Sequence, residues 1–235
     1  MIPISDAPGQ RRRFPLVNVL LIAANIIAFL YFEVGQSDRT LSTLFRSAGV
    51  VPGELVSGRD VPPLAPLGSI YATLLSSMFL HGGWLHLGSN MLYLWVFGDN
   101  VEDSLGSIPY LLFYGLCGIL AGLTHVAFNL GSSVPSIGAS GAIAGVLGAY
   151  LVLFPHAKVR TLLFLGPFIT VTRVSAILLI GFWFVLQLLN GLTSLGGDAE
   201  QSSGVAVWAH VGGFVAGFIL VRVFWIGSSS YAPAR

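Results

Sequence analysis

Residues 108–130 read IPYLLFYGLCGILAGLTHVAFNL, a run without one Asp, Glu, Lys or Arg. A helix of this length rises about 35 Å, enough to cross a hydrocarbon core of about 30 Å. Working outward, apolar runs recur at 139–154, 174–192 and 205–224 on one side, and at 84–97 and 14–32 on the other. Pro and Gly punctuate the joins, at Pro62-Pro63, Pro135, Pro155, Pro167 and Gly196-Gly197. Of 235 residues, 54 % are hydrophobic and only 9 % charged, against about 25 % charged in an ordinary globular domain. Mean hydropathy is +0.82. Too few charges are present to cover a water-facing surface. The expected fold is therefore all-α, a polytopic membrane protein built as a six-transmembrane-helix bundle. Six spans of about 20 residues use about 120 positions, which leaves short loops and no large soluble domain.

The same arithmetic narrows the partners. A net charge of +1, with Arg11-Arg12-Arg13 as the one concentrated basic run, implies no nucleic-acid partner. The lipid bilayer is the expected surrounding. The single cysteine, Cys117, forms no internal disulfide and is expected to pack. The run 14–32 follows three arginines as a signal peptide would, but it is long for such a core and lacks a small-residue cleavage site, so it reads as a retained first span.

Lys and Arg set the expected orientation. Six spans put Arg11, Arg12, Arg13, Lys158, Arg160, Arg173, Arg222 and Arg235 on one side, and Arg39, Arg46 and Arg59 on the other. Both termini are then cytoplasmic, as tails 1–13 and 226–235 around a single helical domain, 14–225. The outer loop, 33–69, is the longest, and loops above about 12–15 residues usually carry structure or function. The apolar segment 162–172, broken by Gly166-Pro167, reads as interfacial or as a lead into the fifth span. The acidic turn around Asp99 and Asp103 reads as a solvated helix end. The absence of a transit peptide or eukaryotic-type extension points to a prokaryotic plasma membrane.

Polar side chains in lipid are costly, so each asks for a reason. His81, His86 and Asn90 open the second span, Ser140 opens the fourth and His210 lies early in the sixth. Even-numbered spans all begin on the outer side, so these groups fall at similar depth. His86 and Asn90 are four residues apart and share a helix face. His125 and His156 read as interfacial.

The chemistry such groups support is acyl transfer. A serine hydroxyl needs a base within hydrogen-bond reach, and His210 is the candidate. The tetrahedral intermediate needs preorganised donors; His86, the Asn90 amide and the Ser140 backbone N–H are candidates. Gly138 and Gly141 let backbone approach a substrate closely. The stripes Gly141-x-x-x-Gly145 and Gly213-x-x-x-Gly217 let the fourth and sixth spans touch. No carboxylate lies within the spans to complete a triad, so a dyad is expected, with His210 oriented by packing; Trp208 and Phe214 are its aromatic neighbours in sequence.

At this point the residues resemble a family, the rhomboid intramembrane serine proteases. The carrying segments are Met78-Phe79-Leu80-His81-Gly82-Gly83-Trp84-Leu85-His86-Leu87-Gly88-Ser89-Asn90-Met91, Phe97-Gly98-Asp99-Asn100-Val101-Glu102-Asp103, Gly138-Ala139-Ser140-Gly141-Ala142 and Ala209-His210-Val211-Gly212-Gly213. The resemblance runs over about residues 70–224. It implies a water-filled cavity open to the outer side and hydrolysis of peptide bonds in or beside the transmembrane segments of substrate proteins. By position it implies Ser140 as nucleophile, His210 as base, and His86 and Asn90 in the oxyanion hole. His81 matches an outer histidine of more structural role. No cofactor or metal is implied. Two departures stand out. Many members carry a Trp-Arg pair in the first outer loop, and here its place falls near Ala72-Thr73. Some members stack an aromatic from four residues after the serine on the histidine, and here that residue is Ala144.

Other functions fit less well. A metal-dependent protease would carry a His-Glu-x-x-His pair, and an aspartyl one two carboxylates in facing spans; neither is present in the sequence. A transporter would be favoured by an inverted repeat, which is not seen. The serious rival is a non-catalytic rhomboid-like protein that binds transmembrane clients, and such relatives lack the serine or the histidine.

Overall fold

In a computed structural model of the chain, the described residues are 1–6, 13–166, 168–194 and 206–226. Most of them are helical. The helices, in chain order, are α1 (Leu16–Phe32), α2 (Asp38–Ala48), α3 (Pro52–Ser57), α4 (Thr73–Ser76), α5 (Trp84–Leu105), α6 (Ser107–Phe128), α7 (Ser140–Leu153), α8 (Ala176–Ser194) and α9 (Val207–Ile226). Each expected apolar run forms a helix within a few residues of the expected ends, except that α5 continues eight residues past 97.

Among the described residues, three helices are long and apolar enough to cross a membrane: Ser107–Phe128, Ala176–Thr193 and Val207–Trp225. The others fall short for two physical reasons. The helices α1 and α7 have 17 and 14 residues, so α7 is only about 21 Å long. The helix α5 carries Asn90, Asp99, Asn100, Glu102 and Asp103, which lower its hydropathy. The helices α5 and α7 rely on protein neighbours. Every residue of α7 from Gly141 to Tyr150 is buried, and α7 packs against α9, α6 and α5.

Small residues decide that packing. The carbonyl oxygens of Gly141 and Gly145 lie where side chains on Gly213 and Gly217 would project, and a Cβ on Gly145 would sit 2.5 Å from the Cβ of Cys117. The helices α7 and α9 therefore meet backbone to backbone, and α6 packs on them through the short side chains of Cys117, Ala121 and Thr124. Cys117 is fully buried at this seam.

The acidic end of α5 corrects an expectation. Glu102 is 2 % exposed, not solvated. Its carboxylate accepts the N–H groups of Val17 (3.1 Å) and Asn18 (2.7 Å) and the Ser107 hydroxyl (2.6 Å). These are N–H groups of the first turn of α1, which have no acceptor inside their own helix, and the Pro15 that precedes α1 supplies no side-chain cap. Asn18 ties the same corner together, donating to the Leu94 carbonyl (3.0 Å) and accepting from the Tyr110 hydroxyl (2.8 Å).

Two further expectations change. The chain is not wholly helical: β1 (Ile2–Ser5), β2 (Lys158–Leu165) and β3 (Phe168–Ser175) form an antiparallel sheet in the order β1-β2-β3. The segment 162–172 is thus a hairpin, with Arg160 opposite Arg173 and Leu162 opposite Val171. The strands are rich in β-branched residues, at Val159, Thr161, Ile169, Thr170, Val171, Thr172 and Val174, and such residues favour a pleated strand. The loop 33–69 contains α2 and α3 and docks on the segment before α7. Val50 and Ser136 exchange backbone hydrogen bonds (2.9 and 2.8 Å), and the Gly53 N–H donates to Ser132 (2.9 Å). Arg11, Arg12 and Arg235, used in the orientation argument, lie outside the described residues.

Candidate active site

Ser140 is the first residue of α7, where backbone N–H groups point out of the helix without an intrahelical acceptor. The turn into it needs Gly138, whose φ is +123°, a conformation that side chains disfavour. A Cβ there would also lie 2.8 Å from His86 Nε2. The Gly138 N–H donates to the Ser77 carbonyl (2.9 Å), which fastens the turn to the segment before α5. Gly141, one residue beyond Ser140, and Gly213, three beyond His210, are the contact that brings α7 and α9 together at this level.

His210 enters from α9. Its Nε2 lies 2.7 Å from the Ser140 hydroxyl oxygen, a short hydrogen bond between side chains seventy residues apart. Both residues are half-buried and line a cavity of about 730 Å³, with Trp84, His86, Asn90 and Trp183 on other walls. The His86 Nδ1 accepts the Gly82 N–H (3.2 Å). That assigns the ring proton to Nε2, on the side facing Gly138. Asn90 lines the cavity, and its Nδ2 is buried and makes no hydrogen bond among the described residues. His81 is fully buried; its ring packs edge-on against His86 at 5.1 Å and its backbone N–H donates to Glu33 (2.9 Å).

The arrangement offers a hydroxyl and a base in contact with it, with His86 and Asn90 lining the same cavity. The Rhomboid domain family profile matches residues 69–226. The chain belongs to the rhomboid family. It is 31 % identical to rhomboid protease GluP of Bacillus subtilis (strain 168), over 87 % of this chain and 34 % of that protein. Rhomboid protein 1, mitochondrial, of Saccharomyces cerevisiae is 41 % identical over 40 % of this chain and 28 % of its own length. RHOMBOID-like protein 5 of Arabidopsis thaliana is 29 % identical over 86 % of this chain and 65 % of its own. The chain thus spans from about a quarter to two thirds of these relatives, which come from bacteria, mitochondria and plants.

In this rhomboid the orientation of His210 differs from the sequence expectation. The ring is not held by packing alone: its Nδ1 lies 2.8 Å from the Oε1 of Gln187 on α8. The aromatic neighbour is Trp183, one turn away on α8, with ring centroids 5.7 Å apart and planes at 40°. Trp208 stacks instead on Phe128 (3.8 Å) and Phe214 on Phe184 (4.2 Å). Ala144 is itself fully buried and lines the cavity. Gln187 and Trp183 lie in the fifth span, away from the starts of the even-numbered spans where Ser140, His86 and His210 share one depth. The available signal was a glutamine in the middle of an otherwise apolar run, 174–192. His125 is buried beside Asn129 and His156 is exposed, and neither lines the cavity.

Proposed function

We propose that this rhomboid is an intramembrane serine endopeptidase that cuts peptide bonds in or beside the transmembrane segments of membrane-protein substrates. In this reading the chain is a six-span bundle with both termini cytoplasmic. Three helices meet the length and apolarity of a span by themselves; α1, α5 and α7 would complete the set, α1 with 17 residues, at the short end of the range of about 17–25 for a span, and the polarity of α5 and shortness of α7 offset by burial against neighbours. The observation that carries the proposal is the 2.7 Å separation of Ser140 Oγ and His210 Nε2 across two helices, in a cavity large enough for an unwound peptide segment.

The steps follow from the groups present. Ser140 Oγ attacks the scissile carbonyl carbon while its proton passes to His210 Nε2. The oxyanion that forms is met by His86 Nε2–H, Asn90 Nδ2 and the Ser140 N–H. Collapse breaks the C–N bond, and His210 returns the proton to the departing amine. Cavity water, activated by the same nitrogen, then hydrolyses the acyl-serine ester. A substrate helix must unwind to expose its carbonyl, so segments with small residues and helix breakers near the cut are favoured.

The test is labelling by a fluorophosphonate probe together with cleavage of a type I membrane substrate in proteoliposomes. Wild type is expected to label and cleave, and Ser140→Ala and His210→Ala to lose both. Wild-type protein that neither labels nor cleaves would support the rival reading, a non-catalytic rhomboid-like protein that binds transmembrane clients. Labelling that survives in Ser140→Ala would move the nucleophile elsewhere.

A further inference from the structure

Serine hydrolysis by a dyad leaves one question open in the chemistry: what decides which imidazole nitrogen is free to accept the serine proton. A neutral imidazole carries one N–H, and the partner of that N–H fixes the other nitrogen as the base. Among the described residues no Asp or Glu lines the cavity to do this, and a carboxylate held in lipid would be costly. The structure puts an amide in the place. Gln187 Oε1 lies 2.8 Å from His210 Nδ1, on the opposite side of the ring from Ser140.

We propose that Gln187 is the positioning residue of the base: its carbonyl accepts the Nδ1–H of His210 and so holds the Nε2 lone pair toward Ser140. The proposal deepens the endopeptidase reading and rests on His210 being that base. An amide carbonyl is an acceptor without a charge, so it selects the tautomer without placing an ion in the bundle. A polar side chain mid-helix among apolar neighbours is also costly unless bonded, and this bond offsets its burial.

The packing of α8 on α9 keeps the two groups in register. Phe184 stacks on Phe214 at 4.2 Å with planes 22° apart. Gly191 leaves room for the Trp208 indole, which a Cβ would meet at 3.2 Å. Residues 184, 187 and 191 lie on one face of α8 at helical spacing, so the Phe184 and Gly191 contacts bracket Gln187. Trp183, one turn before Gln187, covers the His210 ring. One helix therefore supplies both the acceptor and the wall. The other titratable side chains facing this corner are His86 and Tyr93 on α5 and His125 on α6, and the variants below leave all three intact.

The first measurement does not depend on activity. Protein labelled with ¹⁵N-histidine and reconstituted in lipid is compared with Gln187→Met, which keeps the side-chain length and loses the acceptor. His210 is assigned by its absence in His210→Gln. Wild type is expected to show the Nδ1–H tautomer, and Gln187→Met a mixture or the Nε2–H form. The same tautomer in both, or Nε2–H in wild type, would overturn the positioning role and leave the dyad untouched. The second measurement is kinetic. Gln187→Met is expected to lose about 10- to 100-fold in kcat, part of the 10²–10⁴ that a general base supplies, with KM little changed. Gln187→Glu restores an acceptor and adds charge; it should recover kcat at high pH and move the acid limb of kcat/KM up by about one pH unit or more. Equal kcat for wild type and Gln187→Met would sink the proposal while cleavage itself stands. An inactive wild type with the expected tautomer would instead count against the endopeptidase reading.

Discussion

The carbonyl oxygen of Gly141 occupies the space that a side chain on Gly213 would need. Both glycines sit next to the paired groups, one residue beyond Ser140 and three beyond His210, so helix contact and dyad geometry are one constraint. Gly213→Ala sets a methyl against backbone, which has no rotamer to yield. Overpacking of this kind costs about 1–3 kcal/mol. The variant is expected to unfold at lower temperature in detergent and to lose most fluorophosphonate labelling. Gly88→Ala is the control, since nothing lies within 4 Å of its added Cβ. A Gly213→Ala protein as stable and as reactive as the control would refute the close-contact account.

The unpartnered Asn90 amide separates stability from activity. A buried donor without an acceptor costs free energy in the resting protein, and in the proposed reaction it meets the oxyanion. Asn90→Leu is therefore expected to be at least as stable as wild type yet to lose about 10²–10³ in kcat. Thermal unfolding and steady-state cleavage of one preparation check both halves. A destabilised protein with full activity would give Asn90 a structural role instead.

Glu33, just past the end of α1, makes stability depend on pH. Burial, opposed by the hydrogen bond from the His81 N–H, raises its carboxyl from the ordinary 4.5 to about 7. Between these values the folded protein keeps a proton that the unfolded chain releases. Its contribution is thus fully present below about pH 4.5 and is lost as pH rises through about 7. Glu33→Gln keeps an acceptor for His81 and abolishes the titration. The difference in Tm between variant and wild type should therefore grow across that window in the variant's favour, and a difference independent of pH would show that the carboxyl titrates normally.

Orientation is open to direct measurement because Cys117, the single cysteine, is fully buried. Ser57→Cys and Thr172→Cys place thiols at exposed positions of the 33–69 loop and of β3. A membrane-impermeant maleimide on intact cells is expected to label the first and to reach the second only after lysis. The reverse pattern would invert the proposed topology.

Hydropathy is a local property, so the apolar runs could be read one at a time, and 108–130 emerges as α6 with ends shifted by one or two residues. The same holds for Ser140, His86, Asn90 and His210. Each is a polar residue near the start of an apolar run, conspicuous because lipid excludes such groups. The hairpin 158–175 was less legible, since a short apolar stretch around Gly166-Pro167 suits a strand or an interfacial segment equally and only pairing decides. Glu102 misled for a related reason. Its position at a helix end suggests solvent, and nothing nearby in sequence announces that α1 will bring it two orphan N–H groups.

By itself the sequence determined that this chain lives in lipid, that its helices begin and end near the observed limits, and which polar groups needed an explanation. Those follow from transfer free energies that each residue carries with it. Tertiary structure alone decided which groups meet: Ser140 with His210, His210 with Gln187, Glu102 with the start of α1. Such meetings depend on the rotation and register of one helix against another. That register is set by glycine contacts and aromatic stacks spread over several helices, and no single stretch of sequence contains it.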